Sequence, residues 1–498
     1  MDPRIYSDLR AFTPEIVTTA ALLVVVIFDI ALGRLRRSAT FLAAALGLLA
    51  ALAAALAQFG APARTLFYGM VAVDDMGAFF KAFVSVTSFL VLLAAPGSRE
   101  LARAHLGEFY ALLLGVTLGM MLLASSTDMI MLFLSLEMVS LSSYIMVGYL
   151  STDRLSNEAS LKYLLFGAVS TGSMLYGITL LFGLTGTTQM AAMRGILQQG
   201  AGGGANLPAM LAATALVLAG FGFKIAAVPF HFWCPDVYAG APTPVTAFLS
   251  VAPKAAGFAT LIRFFFTGLS DTSSAAGAWS AFTTVNWTLL VLVLSVVTMV
   301  FGNLAALRQE NMKRLLAYSS IAHAGYILMG AVVLTAEGLQ SVMVYLITYL
   351  FMNLGAFIVV IEMYNRTGSF ELKDYRGLYR RSPFLAIAMS VFMLSLMGIP
   401  PLAGFFGKLY VFAAAVERDL AWYAAVGALN SVIAVYYYAR VMKTMVIDEA
   451  EGEPAAIAVS WANQALVWVM LVPTAALALV WDYVQKLTGG SLNFFIGG

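Results

Sequence analysis

Apolar residues along this chain gather into runs of roughly 20, one after another, separated by short polar clusters. A run of about 20 helical residues crosses about 30 Å of hydrocarbon, at a rise of about 1.5 Å per residue. Strands of a membrane barrel would alternate polar and apolar positions, and these runs show no such alternation. The pattern predicts an all-α polytopic membrane protein with about fourteen transmembrane helices. They fall at 14–32, 39–58, 74–95, 107–124, 127–150, 160–186, 207–231, 242–268, 284–305, 313–334, 338–363, 382–415, 421–446 and 460–482. The turn between the fourth and fifth spans is very tight.

Two spans are interrupted. The seventh contains Gly220-Phe-Gly-Phe-Lys224-Ile-Ala-Ala-Val-Pro229, and the long twelfth contains Met397-Gly-Ile-Pro400-Pro401-Leu-Ala-Gly404-Phe-Phe-Gly407-Lys408. Proline inside a helix removes a hydrogen bond and clashes with the carbonyl four residues back. In a bilayer such breaks persist only where protein or water satisfies the freed backbone. Broken helices five spans apart, each with a lysine near the break, predict two inverted five-helix repeats. The expected organisation is a three-helix segment at 1–106, a first repeat at 107–268, a second at 284–446, and a last helix within 447–498.

Composition agrees with the pattern. The chain of 498 residues is 61% hydrophobic and 11% charged, too few polar residues to cover a water-soluble surface. One cysteine, Cys234, excludes a disulfide within the chain and any iron–sulfur cluster held by this chain alone. Three histidines leave little for a haem or metal site, so no cofactor or metal site is expected here. Residues 1–13 hold two arginines and two aspartates, and the run after Pro14 is long enough to span, so it reads as the first span rather than a cleaved leader. No nucleotide-binding fingerprint is present, and Gly200–Gly204 reads as an outer loop.

The net charge of +2 matters less than where the charges lie. Odd-numbered loops carry Arg34, Arg36 and Arg37; Arg99 and Arg103; Arg308, Lys313 and Arg314; then Arg366, Lys373, Arg376, Arg380 and Arg381. Even-numbered loops carry about one each or none: Arg64, Arg194, Arg263 and Arg418. The positive-inside bias predicts odd loops in the cytoplasm and both termini outside.

Charges inside spans need a reason, since each costs at least about 2.5–3.5 kcal/mol at the centre of an isolated span. Glu137 lies midway along the fifth span, in Leu134-Ser-Leu-Glu137-Met-Val-Ser140-Leu-Ser-Ser143, with serines 140 and 143 on the same side. The plainer role for it is a protonated glutamate locking two helices. Lys224 lies beside the first break. Burial disfavours its charged form and a nearby carboxylate favours it, so it can bind or release a proton when that partner moves; a static bridge is the alternative. Lys254 follows Pro253, which leaves the Leu249 carbonyl unpaired among small residues, where water fits. Lys408 repeats the pattern after Pro400 and Pro401.

Lys162 is a weaker candidate near a span end, from which it can snorkel. His323 has proton-transfer chemistry near neutral pH, although a lone helical histidine often only packs. His231 is placed at the outer edge of the seventh span. Asp29, Lys81, Asp128 and Glu362 read as boundary charges without special function.

The stretch Lys224-Ile-Ala-Ala-Val-Pro-Phe-His231-Phe-Trp-Cys-Pro-Asp236-Val-Tyr-Ala-Gly-Ala-Pro-Thr-Pro-Val-Thr246 resembles a signature of the antiporter-like proton-channel subunits of respiratory complex I. So does Asn311-Met-Lys-Arg-Leu-Leu-Ala-Tyr-Ser-Ser-Ile-Ala-His323. Within that family, Gly398-Ile-Pro-Pro-Leu-Ala-Gly-Phe-Phe-Gly-Lys408-Leu-Tyr410 and Tyr349-Leu-Phe-Met-Asn-Leu-Gly-Ala-Phe357 look most like the N-type branch; the M type generally has glutamate where Lys408 stands. The resemblance implies Glu137 paired with Lys224, a central Lys254, and Lys408 facing an exit half-channel. It implies K- and M-type neighbours in a bacterial inner-membrane arm, and FMN, iron–sulfur clusters and quinone in other subunits. Readings left open are a subunit of a multi-subunit cation/proton antiporter, a purely structural membrane-arm subunit, and a hydrogenase arm.

Overall fold

The computed structural model describes residues 3–32, 36–102, 104–198, 207–271, 278–282, 286–449, 457 and 459–492. Arg34, Arg103 and the Gly200–Gly204 stretch lie outside them. A short amphipathic helix α1 (Pro3–Ala11) precedes α2 (Thr13–Ala31) and α3 (Arg36–Leu56), and a two-stranded ribbon, β1 (Arg64–Leu66) with β2 (Val71–Val73), leads into α4 (Asp75–Ala94). The next helices are α5 (Leu106–Ser125), α6 (Met129–Val147), α7 (Arg154–Thr185), the short α8 (Met190–Ile196), α9 (Leu207–Ile225), α10 (Trp233–Gly240) and α11 (Thr243–Gly268). They are followed by α12 (Trp287–Ala306), α13 (Met312–Val332), α14 (Ala336–Thr367), the short α15 (Leu378–Arg381), α16 (Pro383–Met397), α17 (Ala403–Glu417), α18 (Ala421–Val446), α19 (Trp461–Ala476) and α20 (Trp481–Gly490).

Among the described residues, twelve helices are long and apolar enough to cross a membrane. The other two expected spans are the twelfth, split between α16 and α17, and α18, which carries Asn430, four tyrosines, Arg440 and Lys443. Both expected breaks are present. α9 stops at Ile225, and seven residues around a cis Val228–Pro229 bond separate it from α10, which carries the seventh span on to Gly240. α16 stops at Gly398, whose φ of 88° suits glycine, and Pro400–Pro401 lies in the second gap.

The two halves of the bundle repeat one piece of local construction. Asp128 caps α6 and pairs with Gln189, just beyond the end of α7; Asn311 caps α13 and pairs with Glu371, just beyond the end of α14. The Met129 amide donates to Thr188 O, and the Met312 amide donates to Phe370 O, both at 2.8 Å. α7 and α14 are both 32 residues long, and both end on a left-handed glycine, Gly186 or Gly368.

Helix ends gather on two faces. On the first, Arg36 meets His105, Asn365 donates to Gly97 O, Arg314 pairs with Asp236, and Arg440 holds Leu307 O. On the second, Gln58 reaches Ala11 O, Gln189 reaches Tyr68 O, Arg418 reaches Trp279 O, and Gln340 donates to Thr488. The helices α1 and α20 share this second face.

Two residues expected as loop charges are fully buried within long helices. Arg263 is inside α11, fully buried, with both terminal nitrogens on Asp74. Lys313 is in the first turn of α13, fully buried, and donates to Ala241 O at 2.5 Å. Helix ends wrapped by neighbours bury cations that hydropathy places at a boundary. α11 is the best-enclosed helix: every one of its residues is buried.

Candidate functional site

Four of the expected groups meet inside the bundle: Lys224, Lys254, Lys408 and His323 are each at most 4% exposed. Lys224 ends α9, where the break begins. Its stem passes Gly257 of α11, at which an added Cβ would come within 3.2 Å of the lysine Cγ. Only hydrogen occupies that space, so Lys224 can lie close to the helix that carries Lys254. Its ammonium reaches Ser140 of α6 at 3.4 Å, a long bond.

The expected pairing of Glu137 with Lys224 is not a contact. Glu137 is partly exposed, and among the described residues no ion pair within 4.0 Å joins them. Ser140 and Ser143 spend their own protons on Leu136 O and Val139 O within α6, so Ser140 can only accept from the lysine.

Lys254 crosses from the first half of the bundle to the second. It donates to Ser320 O at 3.0 Å and to Ser320 Oγ at 2.6 Å, both on α13, and lies 6.0 Å from the centre of the Tyr238 ring. Beside it, Ser319 shares a proton with Tyr438 at 2.6 Å. Tyr438 is 3.1 Å from His323 Nε2, and His323 Nδ1 is 2.8 Å from Tyr345. Adjacent serines on α13 thus serve the central lysine and a buried imidazole flanked by two phenols, each of which can accept or donate a proton.

Lys408 lies on α17, just past the second break. It donates to Met397 O, the end of α16, at 2.7 Å and stands 4.9 Å from the centre of the Tyr326 ring, within cation–π range. Gly398 is required twice here, by its positive φ and because an added Cβ would lie 2.8 Å from the lysine Cδ. No continuous string of hydrogen bonds among the described residues runs from Lys224 to Lys408. Gaps separate Lys224 from Lys254, the Lys254–Ser320 pair from the Ser319–Tyr438–His323 cluster, and that cluster from Lys408.

The weaker candidates lie elsewhere. Lys162 is over a third exposed and bridges Asp236 at 2.7 Å and Glu158 at 2.9 Å, with Arg314 on the other Asp236 oxygen, away from the buried line. His231 is in the break between α9 and α10, 3% exposed and packed against Phe301, not at an outer edge. Of the boundary charges, Asp128 caps α6, Asp29 pairs with Arg36, and buried Glu362 accepts from Asn463. Lys81 of α4 is fully buried, with its ammonium 2.8 Å from Glu15 of α2 and donating to Gln58 just past α3.

Sequence reading missed the Asp74–Arg263 pair, the contact of Glu100 with Lys313, and the phenols of Tyr326, Tyr345 and Tyr438. An aspartate just before an apolar run, the cap signature, was the available signal for Asp74. Among the described residues no group of three or more metal-ligating side chains comes together.

The transmembrane family described as NADH:quinone oxidoreductase/Mrp antiporter matches residues 126–434. A NADH-quinone oxidoreductase subunit N of Anaeromyxobacter sp. (strain Fw109-5) is 45% identical over 99% of both chains. A NAD(P)H-quinone oxidoreductase subunit 2 of Synechococcus sp. (strain JA-3-3Ab) is 46% identical over 89% of this chain and 81% of its own. Among solved structures, a chain of respiratory complex I from Thermus thermophilus, with bound aureothin, is 34% identical at a TM-score of 0.75, over 94% of this chain and all of its own. A chain of the Mrp complex from Dietzia sp. DQ12-45-1b overlays at a TM-score of 0.82 over 97% of both chains but is only 20% identical, so it shares the fold. The chain belongs to the family of NADH-quinone oxidoreductase N subunits, within the wider antiporter-like superfamily.

Proposed function

We propose that this chain moves protons across the bacterial inner membrane as the N-type membrane-arm subunit of NADH:quinone oxidoreductase, through Lys224, Lys254 and Lys408 with Glu137 as the moving counter-charge. One observation carries the reading. Three lysines are buried within the bundle, and among the described residues none has a carboxylate within 4.0 Å. A purely structural role would leave three ammonium groups desolvated with no counter-charge in contact, and a buried charge is often no better than apolar packing even when it is paired.

The proton's route follows the geometry. Lys224 holds a proton while the Glu137 charge is near. Two unit charges about 7 Å apart, at an effective dielectric of about 20, interact by roughly 2.4 kcal/mol. Moving one charge against 100 mV takes about 2.3 kcal/mol, so complete loss of the Glu137 interaction changes the energy by a comparable amount. The released proton passes to Lys254, then through the Ser319–Tyr438–His323–Tyr345 cluster toward Lys408, with water crossing the three gaps. Redox chemistry belongs to other subunits, which hold FMN, iron–sulfur clusters and quinone, and the membrane neighbours are of K and M type. The domain division is a three-helix segment to residue 106, repeats at 107–268 and 284–446, and a terminal helix. The arginine-rich first face is cytoplasmic, which puts α1 and α20 on the periplasmic side.

A cation/proton antiporter subunit shares this fold, but the 45% identity to a quinone oxidoreductase subunit against 20% to an Mrp chain favours the respiratory reading. The test is proton pumping per NADH oxidised in vesicles that hold the assembled complex. Lys224→Ala and Lys408→Ala are each expected to lower that ratio at least fivefold. A normal ratio in both rejects the proposal.

A further inference from the structure

Both ends of α11, the helix that carries Lys254, are tied to the segment around α4. At the second face, Arg263 places its two terminal nitrogens on Asp74 at 2.7 and 2.9 Å and its Nε on Ala124 O at 3.0 Å. Asp74 is itself fixed by α4, whose Gly77 amide it accepts at 2.7 Å. The bare Cα of Gly77 leaves the space, since an added Cβ would meet the Asp74 oxygen at 2.9 Å and the arginine at 3.7 Å. At the first face, Glu100, beyond the other end of α4, accepts the Thr243 amide of the first turn of α11 at 2.7 Å. The other oxygen of Glu100 is 3.9 Å from Lys313, whose ammonium holds Ala241 O just ahead of α11.

Two antiparallel helices are therefore joined acid-to-end at both faces, with Lys254 between the ties. α11 needs such ties, because Pro253 inside it leaves the Leu249 carbonyl without its helical donor and makes the helix free to bend there. The bonds of Lys254 to Ser320 tolerate only a few tenths of an ångström before they weaken. A buried ion pair is a poor source of stability compared with apolar packing, and its best-attested use is to fix register.

We propose that Asp74 and Glu100 are positioning residues: with α4 they form a strut that sets the axial position of α11 and holds Lys254 on Ser320. The inference rests on the role given to Lys254 above. It is tested with Asp74→Asn and Glu100→Gln in vesicles holding the whole complex. The amount of assembled complex, the protons pumped per NADH and the pH profile of pumping are each measured. Both variants are expected to assemble, to lose about threefold in protons per NADH, and to shift the pH profile; Asp74→Glu restores both. A merely structural tie would lower the amount of complex while leaving the ratio and profile of each assembled complex unchanged, and that result overturns the strut. If Asp74→Asn fails to assemble, Arg263→Lys, which keeps a cation but loses the two-pronged fork, is judged on the same readouts. Lys254→Met separates the two claims. Normal pumping there sinks the role of Lys254 itself, whereas a defect there with normal Asp74→Asn and Glu100→Gln sinks only the strut.

Discussion

The two halves of the bundle house a buried lysine in opposite ways. In the first half Lys224 ends the helix before the break and has one long bond to Ser140, with Glu137 beyond contact distance. In the second half Lys408 follows the break, donates to a helix-end carbonyl at 2.7 Å and faces the Tyr326 ring, with no carboxylate within 4.0 Å among the described residues. One site has a long serine bond and no carboxylate in contact, and the other has a helix-end carbonyl and an aromatic face. In the mechanism proposed above, a proton on Lys224 is released by moving the Glu137 charge, whereas Lys408 is held by the Met397 carbonyl and the Tyr326 ring.

The comparison breaks most sharply at Glu137. Glu137→Gln keeps the shape and removes the charge, and protons pumped per NADH in vesicles should fall about tenfold with electron transfer to a hydrophilic acceptor unchanged. Retention of half the wild-type ratio would mean that Lys224 needs no counter-charge. A smaller effect is expected at Tyr326. A desolvated cation–π contact contributes about 2 kcal/mol, roughly thirtyfold in the proton affinity of Lys408; Tyr326→Leu is expected to cut the pumping ratio about threefold, whereas Tyr326→Phe keeps the ring and should stay within about 1.5-fold of wild type. Equal defects in both would move the role from the ring face to the phenol, which also meets Asn303 and Ser431. The smallest effect belongs to Lys162, whose partly exposed bridges contribute about 0.2–1 kcal/mol each. Lys162→Ala should change the pumping ratio less than twofold, and a larger loss would extend the working line to the first face.

The bundle was legible in sequence because lipid imposes one rule on every span: apolar residues over the thickness of the hydrocarbon, with proline tolerated only at a protected break. Glu137, Lys224, Lys254 and Lys408 stood out for the same reason. What hydropathy does not carry is how deeply a helix end is wrapped by its neighbours. Arg263, Lys313 and Lys81 therefore read as rim charges and proved fully buried. His231 was misplaced because the seventh span continues through its break into α10. The phenols around His323 were invisible for another reason: Tyr345 and Tyr438 come from α14 and α18, and only packing brings them to one imidazole.

On the proposed route protons cross three unbonded gaps, Lys224 to Lys254, Lys254–Ser320 to the Ser319–Tyr438–His323 cluster, and that cluster to Lys408, and side chains alone do not bridge them. A map of the assembled complex at a resolution that shows ordered water answers this directly. Water molecules linking the polar groups across all three gaps are the predicted result. Apolar side chains packed without water across any one of them would contradict the account.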